Sequence, residues 1–135
     1  MRLKNLLIRP DVPTKNGRIY PLEILEREIK VYNERERKYQ CGVLNANIGY
    51  ELDHRDISHI ISDIILDEDG HMDGELEILP TPSGEILQAF IDMNFKVGFD
   101  VKGSSTIENN VIQEDYKILN TYISIEVEKE NGDSK

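Results

Sequence analysis

Cysteine, tryptophan, cations and long apolar runs are all scarce in this 135-residue chain, and each shortage excludes something. The single cysteine, Cys41, cannot form an internal disulfide, and no Cys-based metal motif can be assembled around it. No apolar stretch approaches the ~20 residues of a membrane helix. The opening MRLKNLLIRPDVP has neither the apolar core nor the cleavage site of a secretion signal, so the chain is expected to be made and kept inside a cell, or inside something assembled there. Sixteen Lys and Arg stand against 26 Asp and Glu, a net charge of -10, which disfavours contact with a phosphate backbone. Neither nucleic acid nor membrane is therefore an expected partner. A basic protein surface is the better match. No repeat and no low-complexity segment occurs. One modest core is all this length supports, so a single domain over residues 1–127 is expected, followed by a polar tail, 128–135.

Punctuation and periodicity give the elements. Leu3 to Ile8 reads as a strand broken by Pro10 and Pro13, and Asn16-Gly17 as a turn. Pro21 suits the first position of a helix; Leu22, Leu25, Ile29 and Tyr32 then form one stripe, and the helix is expected to run to about Tyr39. The charge run NERERK within it reads as a solvated face. Ser58 to Leu66 is expected as a central strand covered on both faces, with Ile60, Ile64 and Leu66 on one and Ile57, Ile61 and Ile65 on the other. Met72 to Leu79 alternates cleanly, and Asp67 to Gly70 is a turn, so the pair is a hairpin. Thr81 or Ser83 caps a second helix that buries Ile86, Leu87, Phe90 and Ile91 and ends near Lys96 to Gly98. A short VGFDV strand, a polar loop from Gly103 to Asn110, and strands Val111–Leu119 and Tyr122–Val127 complete an α+β domain with a largely antiparallel sheet.

Few residues offer chemistry. The acidic run from Asp67 has its glycine too early for a calcium loop, and its twelfth position is Ile78, so it reads as a hairpin turn. The three histidines, His54, His59 and His71, lack a zinc-ligand spacing, and no metal or cofactor is expected. His71 falls in a turn, and His59 suits a hydrogen-bonded core position. His54, between acidic residues, is the one placed for chemistry. No G-x-S-x-G elbow accompanies it.

The order of short motifs carries more. NGRIYP at Asn16–Pro21 with LEREIKVYNE, then GYELDHRD at Gly49–Asp56, ISHII at Ile57–Ile61, DGHMDGELEILPTPSGEIL, and NVIQEDYKIL at Asn110–Leu119 together resemble the prohead core proteases of T-even-type phages. The resemblance spans nearly the whole chain. It implies a small barrel-like β domain with two main helices, as in herpesvirus assemblins, using a serine nucleophile and a histidine base to trim scaffold and capsid proteins inside the immature head. Residue by residue, it places the catalytic histidine at His54 and the nucleophile segment, Gly-x-Ser-x-Arg-Gly, at Gly98 to Gly103. Asp100 stands at the serine position, Val101 beside it, Lys102 at the arginine, and Arg55 where a proline follows the histidine. The third catalytic position belongs near the last strand, where Glu126 is a candidate.

Aspartate has no hydroxyl for a histidine to activate, and its charge would repel a developing oxyanion. The resemblance with this departure implies a protein without peptidase activity, acting as a structural or decoration component of the capsid. Its implied partners are a phage major capsid or scaffold protein and further copies of itself. It would reside in the virion capsid, and in the host cytoplasm during assembly. The alternative is an active prohead endopeptidase using Ser104 or Ser105 with His54. If the fold is kept, His54 and Asp100 should lie in contact or across one water.

Overall fold

The computed structural model describes residues 1–5, 7–44 and 55–126. Ten elements order along the chain: β1 (Arg2–Lys4), α1 (Leu22–Asn33), β2 (Cys41–Val43), β3 (Ile57–Leu66), β4 (Met72–Ile78), α2 (Pro82–Asp92), β5 (Lys96–Ser104), β6 (Ile107–Glu108), β7 (Val111–Ile112) and β8 (Lys117–Glu126). Six strands form one sheet in the order β1-β4-β3-β2-β8-β5; β6 and β7 make a separate two-stranded ladder. The ladders between these strands are antiparallel except β2 with β8, and two isolated parallel bridges, Pro10 with Tyr20 and Ile19 with Val111, tie the segment before α1 to itself and to β7. The expected α+β class with two helices holds. The sheet is not hydrogen-bonded into a closed barrel, yet its edges meet: a Cβ on Gly98 of β5 would lie 3.1 Å from the Lys4 carbonyl oxygen of β1. Side chains, not a ladder, seal this seam.

The β3–β4 hairpin turns where the sequence indicated. Asp67 Oδ1 accepts the Asp69 and His71 amides at 2.9 and 3.0 Å, and Gly70 takes φ +85°. The facing pattern of β3 differs from simple alternation. Asp63 adopts φ +51° and the register shifts between Ser62 and Ile65, a bulge that brings Ile64 onto the same buried side as Ile61 and turns Ile65 outward. Asn33, the last residue of α1, repairs the broken ladder by donating to the Ile64 carbonyl and accepting from the Ile64 amide, both at 2.9 Å.

That anchor explains why α1 stops six residues before the expected Tyr39. Tyr32 donates to the Ile61 and Gln40 carbonyls, at 2.6 and 3.2 Å, and Gln40 donates back to the Tyr32 carbonyl at 3.1 Å. The chain has to turn here, through a 3-10 turn at Arg37–Tyr39, so that Cys41 can enter the sheet. The charge run is then no plain solvated face. Arg35 donates to the Ile118 and Leu119 carbonyls of β8, stacks over Tyr32 at 5.0 Å, and Arg37 pairs with Glu77. Arg27 likewise donates to the carbonyls of Glu114 and Tyr116. Arg35, just past α1, thus stands in for a neighbouring strand at the start of β8, and Arg27 of α1 does the same for the segment leading into it.

Three other expectations change. β1 ends at Lys4, short of Ile8. α2 ends at Asp92, because Asn94 turns the chain at φ +64° into β5, which starts at Lys96. The two closing strands are one long β8 preceded by the small β6–β7 hairpin, with Asn109 and Asn110 both at positive φ in its turn. Thr81 is the cap of α2, accepting the Gly84 amide at 3.0 Å. Of the expected buried face of α2, Leu87 is fully buried and Phe90 and Ile91 partly so, but Ile86 is half exposed.

β2 is the element with no forewarning, and it lies at the sheet's centre. Gly42 pairs with His59 on β3 and with Thr121 on β8. Having no side chain, it lets those two neighbours touch over it: His59 Nε2 lies 2.9 Å from Thr121 Oγ1, and His59 Nδ1 lies 2.7 Å from Ser58 Oγ. All three side chains are fully buried, and burial lowers the His59 pKa to about 3, so the ring is neutral. His59 is a core residue holding three strands, as its place in an apolar strand suggested.

Candidate active site

β5 carries Asp100 at its middle, opposite Tyr122 of β8, where the sheet edge curls back toward β1. The side chain is 3% exposed and reaches across the seam. Asn5, immediately after β1, donates its amide to Asp100 Oδ1 at 2.5 Å, and the Val101 amide donates to the same oxygen at 3.1 Å. Asn5 is fixed in turn: its backbone donates to the Met72 carbonyl at 2.7 Å, and its side-chain oxygen accepts the Ile8 amide at 3.0 Å. The Tyr122 hydroxyl supplies a further hydrogen bond to Asp100. Burial raises the Asp100 pKa to about 6, outweighing the lowering by the Val101 amide, Asn5 and Tyr122. Tyr122 is pushed up to about 12, first by burial and then by the Asp100 charge.

A cleft of about 380 Å³ opens over this carboxylate. Asp100, Tyr20 and Tyr122 line its floor, and Lys15, Arg18 and Lys102 bring positive charge to it in an otherwise acidic chain. Leu7 borders this cleft and also a smaller one at the Lys96 end of β5, so it sits between the two. Chemically, the floor offers a carboxyl group, an amide and phenols. Among the described residues it offers no hydroxyl or thiol nucleophile activated by a base, and the described side chains bonded to Asp100 include no second carboxylate to share its proton.

The other candidate residues do not converge on it. His54 lies outside the described residues, so its expected contact with Asp100 does too. Ser104 ends β5 opposite Lys117, exposed and roughly 13 Å along the strand from Asp100. The Ser105 hydroxyl is engaged within its own loop, 2.7 Å from the Thr106 carbonyl and 3.1 Å from Asp115 Oδ1, and it accepts the Gln113 amide at 3.2 Å. Asp115 also accepts the Thr106 amide and hydroxyl, at 3.0 Å each, which makes Ser105 part of a pinned turn. Glu126 closes β8 opposite Lys96, with Lys96 Nζ 3.7 Å from its carboxylate; both are largely exposed, at the far end of the strand from Asp100. Cys41 is half buried, and burial raises its thiol pKa, the reverse of an activated thiolate. Among the described residues no three His, Cys, Asp or Glu side chains gather as a metal site, and no helix is long and apolar enough to cross a membrane.

Sequence reasoning singled out Asp100 but not Asn5 or Tyr122. Asn5 is 95 residues away along the chain, and only the seam brings it near. Tyr122 could have been found from its register opposite Asp100, had β8 been recognised as one strand. Arg18 and Tyr20 do lie inside the NGRIYP motif that the resemblance had marked.

Comparison with known proteins agrees with that resemblance. A family model described as prohead core protein serine protease matches residues 1–130. The solved structure of the bacteriophage T4 capsid assembly protease, gp21, superposes with a TM-score of 0.71 at 23% identity, covering 90% of this chain and 80% of that one. No curated protein matches.

Proposed function

The chain belongs to the prohead core protein serine protease family, and from that premise we propose that it is a member without peptidase activity, one that binds a phage capsid or scaffold protein and stays as a component of the shell. Asp100 carries this reading. The nucleophile segment of the family pattern falls on Gly98 to Gly103, and the residue at its serine position is a buried carboxylate committed to Asn5, the Val101 amide and Tyr122. Removing one member of a catalytic unit typically costs several orders of magnitude in rate. Recognition of a partner uses interactions separable from the chemistry, so losing the nucleophile need not lose the cleft.

The competing reading is an active endopeptidase that has shifted its nucleophile to Ser104 or Ser105. The bonds holding Ser105 to its own loop and the distance of Ser104 along β5 both weigh against it. Incubation of the purified protein with its phage's capsid and scaffold proteins is expected to yield no cleavage that Ser104→Ala or Ser105→Ala abolishes. Serine-dependent cleavage would establish the active reading in its place. Retention is tested separately, by quantitative mass spectrometry of gradient-purified virions. A fixed copy number per particle is expected; abundance in proheads with only traces in virions would make it a transient assembly factor.

A further inference from the structure

α2 is more apolar than its burial requires. Leu87 and Ile91 face the sheet, as the inner stripe of a surface helix should. On the outer side Ile86, Phe90 and Met93 recur at four- and three-residue spacing. Ile86 is 50% and Met93 58% exposed, and Phe90 is partly exposed with its ring edge-on to Phe95 at 5.0 Å. Inner and outer stripes together form an apolar arc of roughly 160°, about half as wide again as one covered face needs. The remaining strip is acidic: Glu85 and Asp92, the latter accepting from Gln88 at 2.8 Å, with no Lys or Arg anywhere on the helix.

We propose that the outer stripe of α2 is a second docking surface, taking an amphipathic helix of a head protein whose apolar residues are flanked by Lys or Arg. This rests on the reading that the chain binds a capsid or scaffold protein, and adds a contact distinct from the cleft over Asp100. Charge decides the occupant. A second copy of this chain would lay Glu85 and Asp92 against the same pair, or against a molecule of net charge -10, whereas a basic-flanked helix satisfies both carboxylates while covering Ile86 and Met93.

The experiment is co-sedimentation of the full-length protein with purified capsid protein, purified scaffold protein and empty proheads of the same phage. Ile86→Ser with Met93→Ser should weaken binding at least about tenfold. Glu85→Lys with Asp92→Lys should weaken it and flatten its salt dependence. These side chains stand outside the core, so melting should shift by only about 2 °C, which separates lost docking from lost folding. Unchanged binding by both variants, with the parent protein bound, would overturn the α2 surface and leave the capsid-binding reading standing. Failure of the parent protein to bind any of the three would remove both. Concentration-dependent dimerisation that the Ile86→Ser, Met93→Ser variant abolishes would assign the stripe to self-association and overturn the basic-helix partner.

Discussion

At pH 8 the Asp100→Asn variant will be more stable than the parent chain by about 1–3 kcal/mol, and at pH 4 most of that difference will be gone. The cause is the burial of Asp100 at the seam, which raises its folded pKa from 3.8 to about 6. A carboxyl whose pKa is raised on folding favours the folded state below its unfolded value. That contribution is lost as pH rises through about 6, where the folded chain has to carry a desolvated charge. Asparagine removes the charge and keeps the geometry. Its oxygen can accept from Asn5 and from the Val101 amide, and its amide can donate to the Tyr122 hydroxyl, so no partner is orphaned. Chemical denaturation of both proteins from pH 4 to pH 8 reads the difference directly, because other titrations are common to the two. A variant less stable than the parent at pH 8 would mean that the carboxylate's hydrogen bonds outweigh its desolvation.

Gly42→Ala is expected to cost more, at least about 3 kcal/mol, and to deplete the folded protein. The added Cβ would meet His59 Nε2, the Thr121 carbonyl oxygen and Thr121 Oγ1, all closer than any real Cβ contact. Two of those atoms form the buried His59–Thr121 hydrogen bond, so relief by moving them leaves polar groups unpaired in the core. The third is backbone and cannot move without displacing β8 from β2. Gly17→Ala is the control. Gly17 sits at φ +81° with nothing near its missing Cβ, so the same substitution should cost only about 1 kcal/mol. Equal losses at the two positions would show that the His59–Thr121 contact does not set the spacing of the three strands.

The same residues show where sequence reasoning reached and where it stopped. The hairpin at Asp67–Gly70, the proline before α1 and the Thr81 cap were legible because each is fixed by chemistry within a few positions. β2 was not. Three residues with a glycine at the centre have no strand propensity to detect, and the glycine is there for its neighbours' side chains. β8 was read as two strands because Asn120-Thr121 looks like a polar break; it is the buried His59 that makes a threonine welcome there. The bulge at Asp63 defeats any period-two reading of β3, and Ile86 was assigned to the core because helical periodicity reports apolarity without saying which apolar face is covered. At the site, Asp100 stood out only against a family pattern, and its clasp to Asn5 depends on a curl of the sheet that no local signal encodes.

The strand order has a consequence in time. β8 is the last of the described strands in sequence, yet it lies inside the sheet, between β2 and β5, and it presents the Ile118 and Leu119 carbonyls that Arg35 grips. Before β8 has been made, a growing chain can complete the β3–β4 hairpin but not the centre of the sheet, because β2 has only one neighbour and Thr121 is not yet there to meet His59. Core formation therefore waits for β8, and an early stop within it would strand the earlier elements with open edges instead of trimming an ornament from a finished domain.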